Sequence, residues 1–169
     1  MDRKLICAMR KSNKGFSLLE LMVVVAIIAI LALLAAPNIQ YKVARDQVTE
    51  ALPLADLAKK PITAAWAALH ALPPDNASVE LPTPDKIVSN LVSSISIENG
   101  AIHMTFGNRA SGLLKGKILT IRPAVVEDAP IVPVAWVCGY APIPGNMTAK
   151  GENKTSVEAN YLPLACRAK

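Results

Sequence analysis

Glu20 is a carboxylate inside an apolar run that begins at Phe16 and ends at Ala36. From Phe16 onward only Ser17 and Glu20 interrupt that run, and Leu21 to Ala36 contains no charged or strongly polar side chain. Placing an ionisable group in hydrocarbon-compatible surroundings costs a few kcal/mol, so such a residue is a functional candidate by default. The other reactive side chains are sparse. His70 and His103 are the only histidines, one at an expected helix end and one on an expected strand, and neither has a sequence partner for ligation or catalysis. The chain has no C-x-x-C, H-E-x-x-H or G-x-S-x-G motif and no phosphate-cradling glycine loop, so no catalytic residue, cofactor or metal site is assigned. Three N-x-[ST] sequons begin at Asn76, Asn146 and Asn153 and are weak glycan candidates. Of the three cysteines, Cys7 lies in a basic leader. Cys138 and Cys166 form either a disulfide, in an oxidising compartment, or two independent buried thiols.

Charge does not point to nucleic acid. Of 18 basic and 13 acidic side chains, five and one respectively precede Phe16, so the formal +5 falls to +1 for the remainder. No basic stripe with interleaved aromatics is left to contact phosphates. The leading charges have another use. A helix needs about 20 apolar residues to cross a bilayer, which Phe16 to Ala36 supplies. Arg3, Lys4, Arg10, Lys11 and Lys14 would keep the preceding side cytoplasmic and send the rest outward. A secretory signal is cut after its apolar region at a small-x-small site such as Ala-x-Ala, and none occurs between Leu21 and Gln40. A cut before the run would instead leave the hydrophobic helix as the new N-terminus.

A basic leader ending in Gly15, then Phe16, then Glu20 as the fifth residue after that glycine, then an unbroken apolar helix, resembles a type IV prepilin. The resemblance, to a type IVa major pilin precursor, implies a leader peptidase that cuts between Gly15 and Phe16 and methylates the new Phe16 amine. It also places Pro37 where many of these proteins carry a helix-bending proline. Glu20 then has a physical reading. It lies one helical turn from Phe16, where the positive end of the helix dipole favours a carboxylate. The freed Phe16 amine of the same chain or a neighbour can neutralise it, and in the family the amine belongs to an adjacent subunit.

The elements that must position this segment follow. Ala44, Val48, Ala51, Ala55, Ala58, Ile62, Ala65 and Leu69 recur at alternating spacings of four and three, predicting a helix with one apolar stripe as far as His70. Pro53 and Pro61 interrupt it, and kinks or local melting are expected there. A helix from Phe16 to His70 would be about 80 Å long. Pro73 and Pro74 stop it, a loop runs from Leu72 to Asp85, and a short helix is expected over Asp85 to Val92. The period then changes to two around Asn99-Gly100, the strongest short hairpin signal, with Ile95, Ile97, Ile102, Met104 and Phe106 on the apolar face. Further strands are expected over Lys117 to Arg122 and Val132 to Cys138. The segment from Gly139 to Lys169 lacks clear periodicity. With WVCGY and YLPLACR at its two ends, it resembles the disulfide-bounded region of major type IV pilins, which implies a Cys138–Cys166 bond.

The expected fold is α+β: a long N-terminal α-helix packed on a four-stranded antiparallel sheet, with a disulfide-bounded C-terminal loop. The expected parts are a removed leader (1–15), a transmembrane and filament-core helix (16–36), its amphipathic continuation (37–72) and a globular sheet domain (73–169). The resemblance implies a structural subunit, held in the inner membrane and polymerised into an extracellular filament for attachment, twitching motility and DNA uptake. Its implied partners are further copies of itself, the inner membrane, a prepilin peptidase and the assembly machinery; any nucleic acid is met only by the assembled filament. A type II secretion pseudopilin or a minor pilin is the alternative, and a membrane-anchored periplasmic enzyme is the third reading. Major pseudopilins usually carry a calcium site in the closing region, where Gly139 to Ala165 offers only Glu152 and Glu158.

Overall fold

The computed structural model describes residues 15–168, so the leader, with Cys7, lies outside the described residues up to Lys14. Two compact units divide after Pro37. In the first, residues 18–34 are helical and every one is exposed. An evenly apolar helix has no stripe to bury against its own chain, and this one is long and apolar enough to cross a membrane by length and composition.

The second unit is an α+β domain. Its first element is the end of helix α1 (Leu18–Ala51). Pro53 then imposes a short 3₁₀ turn, Leu52–Ala55, before helix α2 (Asp56–Leu69). Pro53 occupies the opening turn, where a missing N–H is least costly. Pro61 sits within α2 without ending it. His70 closes α2 in the left-handed conformation, donating its backbone N–H to Trp66 C=O at 3.0 Å.

The apolar stripe is buried from Ala44 through Ile62. It then departs from the expected course: Trp66 is buried, whereas Ala65 is half-exposed and Leu69 is 74% exposed. A four-residue step after Ile62 brings the largest side chain of α2 inward, and helical geometry accommodates four as readily as three.

Four antiparallel strands follow in order: β1 (Val92–Glu98), β2 (Ala101–Phe106), β3 (Ile118–Val125) and β4 (Ala135–Cys138). The β1–β2 turn is Asn99-Gly100, with φ of 49° and 80°, as a two-residue hairpin of the primed type requires. Its register places Ile95 opposite Met104 and Ile97 opposite Ile102. These side chains and Phe106, Leu119 and Ile121 share one buried cluster with the helical stripe. Burying each of the larger ones contributes roughly 2 to 3 kcal/mol.

Four expectations change, the simplest being that β4 begins at Ala135 and not at Val132. The helix expected over Asp85 to Val92 is a 3₁₀ turn, Pro84–Lys86, and Val92 already belongs to β1. Ser89 favours this outcome: its hydroxyl accepts the Leu91 and Val92 N–H groups, so local side-chain bonding competes with helix formation. β3 runs on to Val125 through Pro123, whose carbonyl accepts Lys150 N–H at 2.8 Å although the proline has no N–H of its own to give. The closing region also holds a fifth strand, β5 (Thr148–Ala149), paired with β3 at Ala124 and Val125. Because Ala124 also pairs with Ala135 of β4, β5 lies on the β2 side of β3. Two residues are too few for a period to be visible in sequence.

Candidate functional site

Gly15, Phe16 and Ser17 precede α1 without regular structure, and the Phe16 side chain is 84% exposed. Helical bonding begins with Leu21 N–H donating to Ser17 C=O at 3.2 Å, so Glu20 falls in the first turn. That places its carboxylate among unpaired backbone N–H groups, at the positive end of the dipole. Among the described residues a Cβ built on Gly15 meets nothing within 4 Å, so their packing makes no demand for glycine there. Around Glu20, Leu18, Leu19, Leu21 and Met22 are 78, 71, 60 and 65% exposed. The segment therefore joins an anionic group to a large uncovered apolar surface, a combination suited to packing against further apolar helices and not to bond making.

The supporting domain is closed at its far end. Cys138 of β4 and Cys166 are joined by a disulfide across 28 residues. Beside it Gly139 has φ of 55°, and a Cβ there would come within 2.9 Å of Cys166 C=O. Tyr140 N–H donates to that same carbonyl at 2.9 Å, so the strand end and the chain end are tied by covalent and hydrogen bonds together. Val157, Tyr161, Leu162 and Cys166 carry this region into the core.

Two polar arrangements escaped sequence reasoning. Asn76, a sequon residue, is 5% exposed. Its amide donates to Ile95 C=O at 3.1 Å and to Pro82 C=O at 3.0 Å, and its carbonyl accepts Ile97 N–H at 2.7 Å. The side chain thus stands where a neighbouring strand would stand on the β1 edge, and in the folded chain it is no glycan acceptor. Asn146 is exposed, while Asn153 is half-buried and donates to Gly139 C=O. The second arrangement surrounds His103, which is 3% exposed. Its Nδ1 lies 3.0 Å from Thr120 Oγ1, which also accepts Lys154 N–H, and its Nε2 is 4.0 Å from a Glu98 carboxylate oxygen. Burial holds the imidazole below its ordinary pKa, against the opposing pull of Glu98. The Lys154 ammonium, bonded to Glu98, holds that carboxyl below its usual range. This cluster is one of structural polar bonding; among the described residues no group of three His, Cys, Asp or Glu could hold a metal ion.

Comparison with known proteins agrees with this division of labour. Residues 10–36 match the prokaryotic N-terminal methylation motif, and residues 44–167 match the family described as pilin, a bacterial filament. The chain is 32% identical over 167 residues to the type IV major pilin protein PilE1 of Neisseria gonorrhoeae, covering 94% of this chain and 89% of that protein. The chain belongs to the type IV pilin family. A fimbrial protein of Neisseria meningitidis is likewise 32% identical, with 94% and 96% coverage, and the fimbrial protein EcpC of Eikenella corrodens is 31% identical, with 94% of each chain covered. This pilin is a structural filament subunit and not an enzyme.

Proposed function

We propose that this pilin is the major subunit of its filament and is held by residues 16–36 in the inner membrane until assembly. One observation carries the reading: the helix from Leu18 to Leu34 is apolar and exposed on all sides, with a single carboxylate, Glu20, in its first turn. Such a surface requires lipid or other copies of itself. Cleavage between Gly15 and Phe16 and methylation of the new amine convert the leader-bearing chain to the assembling form. The open space around Gly15 supports this, because a glycine that packing among the described residues does not require suits a protease subsite.

In the filament, the Phe16 ammonium of one subunit meets the Glu20 carboxylate of another. Uniform apolar helices specify axial register poorly, since sliding exchanges similar contacts. A buried ion pair removes the degeneracy, because separating its partners costs about 3 to 5 kcal/mol. Pro37 bends the helix as it leaves the packed segment, and Pro53 provides the second departure from straightness. Attachment, twitching motility and DNA uptake are properties of the finished filament, through which alone the chain meets nucleic acid.

Sheared surface filaments from the native host test this. Their principal band should have the intact mass of a chain that starts at Phe16 with one added methyl group, and deletion of the gene should remove the filaments. A mature chain retaining Lys14, or filaments unchanged by the deletion, would contradict the proposal.

A further inference from the structure

After β5 the chain crosses the sheet. Lys150 N–H donates to Pro123 C=O at 2.8 Å, on the β2 side of β3 where β5 lies. Ser156 N–H donates to Ile118 C=O, also at 2.8 Å. Ile118 and Thr120 turn their carbonyls the same way along an antiparallel strand, and Thr120 C=O accepts Gly139 N–H at 2.8 Å from the end of β4. Ser156 is therefore on the β4 side, and residues 150–156 form a strap over one face. That face is the outer one, because Ile102 and Met104 point into the core with the helical stripe while Ala101 and His103, which alternate with them, point away. A side chain at Gly151 would come within 2.5 Å of the Ala101 Cβ, and Ala101 and Thr120 are both fully buried.

His103 is the titratable group under this strap, and the register sets it between Ser96 of β1 and Thr120 of β3. The strap is tied at Lys154, whose N–H reaches Thr120 Oγ1 at 3.1 Å and whose ammonium is bonded to Glu98. Both anchors also face the imidazole. Thr120 Oγ1 is 3.0 Å from Nδ1, and a Glu98 carboxylate oxygen is 4.0 Å from Nε2, which has no hydrogen-bond partner among the described residues. A carboxylate opposite Nε2 favours the proton there in the neutral ring, so Nδ1 accepts and the Thr120 hydroxyl donates to it. The other charged groups around the ring are Glu152 of the strap and Arg122, two residues along β3 on the same face.

We propose that His103 is a proton-operated catch, whose protonation frees Lys154 and opens residues 150–156 while the sheet beneath stays folded. Protonation turns Nδ1 into a donor that faces the Thr120 hydroxyl. The hydroxyl must then turn its hydrogen away, and among the described residues it has no other acceptor. The imidazolium also competes with the Lys154 ammonium for Glu98, so both ties of Lys154 weaken together. Lifting the strap returns the charged ring to water, where it is hydrated. Because the strap lies between Cys138 and Cys166, the chain ends stay joined while it lifts. In acid the subunit thus uncovers Ala101, Thr120 and the Ile118 backbone, and this holds whatever covers the apolar helix.

Amide hydrogen exchange of the full chain in detergent micelles tests this at pH 7.5 and 5.5, after correction for intrinsic rates. An opened strap leaves the ring at its ordinary pKa of 6.5, so protection of the Lys154 and Ser156 amides should fall by up to about tenfold between the two pH values. Phe106 N–H, which donates to Lys117 C=O at 2.9 Å within the sheet, should keep its protection. His103→Gln should hold the strap amides within about twofold across the range. His70→Asn, an exposed change of the other histidine, should leave the wild-type fall intact and so decides the matter even if the first variant misfolds. Strap protection in the wild type that is the same at both pH values overturns the proposal. So does a fall shared by Phe106, a fall that persists in His103→Gln, or one that disappears in His70→Asn.

Discussion

Residues 18–34 and residues 44–62 are both helical and both rich in alanine and branched aliphatics, yet their side chains have opposite fates. The first stretch is exposed throughout, while Ala44, Val48, Ala51, Ala55, Ala58 and Ile62 of the second are at most 3% exposed. The difference is one of pattern. A stripe leaves room for charge on the remaining face and finds its cover in the same chain; an unbroken apolar surface must be covered from outside. The two stretches therefore answer to different stabilities, one of the monomer and one of the assembly, and substitutions should affect them separately.

The largest separation is expected at Glu20. Glu20→Ala should reduce the yield of sheared filaments to near zero while leaving leader removal, membrane retention and the thermal midpoint of the globular unit as in wild type. Glu20→Gln should resemble alanine more than wild type, because it keeps the shape and loses the charge. Filaments at wild-type yield from either variant would break the comparison at its most informative point.

The reverse experiment is Cys138→Ser. Removing the bond across 28 residues should cost the domain roughly 3 to 4 kcal/mol in the chain-entropy account, read from denaturant unfolding, with membrane retention untouched. Unchanged unfolding would show that the hydrogen bonds beside Gly139 suffice to hold the end closed.

Asn76→Ala should cost about 1 to 3 kcal/mol, since it leaves Ile95 C=O and Ile97 N–H buried without partners. It also uncovers the β1 edge, so the isolated domain should gain a concentration-dependent tendency to associate, visible in light scattering. Asn76→Ala with wild-type stability and monodispersity would remove the strand-mimic role.

The smallest effect concerns pH. His103 is buried below its ordinary pKa of 6.5, so the unfolded chain takes up a proton before the folded one, and stability should fall as pH drops through 6.5. Glu98 adds a further loss in the same direction as pH falls through 4.5. The charged groups acting on the imidazole are Glu98, Lys154 and Glu152. His103→Gln should flatten the unfolding midpoint between pH 7 and about 5.5, below which the carboxylates take over. An equal slope in the variant would assign that pH dependence elsewhere.

Much of this was readable from one chain because it rests on local periodicity. The apolar run, the stripe through Ile62 and the Asn99-Gly100 hairpin are repeats or pairs of adjacent residues, and their geometry follows from backbone preferences over a few positions. Glu20 was legible for the opposite reason, as a charge that breaks such a run. What required tertiary structure is bonding between distant residues. Asn76 reads as a sequon until Ile95 and Ile97 come to either side of its amide. His103 reads as a lone histidine until Thr120 and Glu98 close on it. β5 has no pattern until Ala124 offers it a partner, and that Trp66 and not Leu69 is the buried residue at the end of α2 is settled only in the folded chain. The sequence alone determined that one helix needs an apolar environment and that a carboxylate must be neutralised there, since both follow from transfer free energy residue by residue. Only the folded chain decided how the sheet edge is shielded and where the closing region is tied, because backbone groups carry no side-chain identity and the partners of each are set by the path of the whole chain.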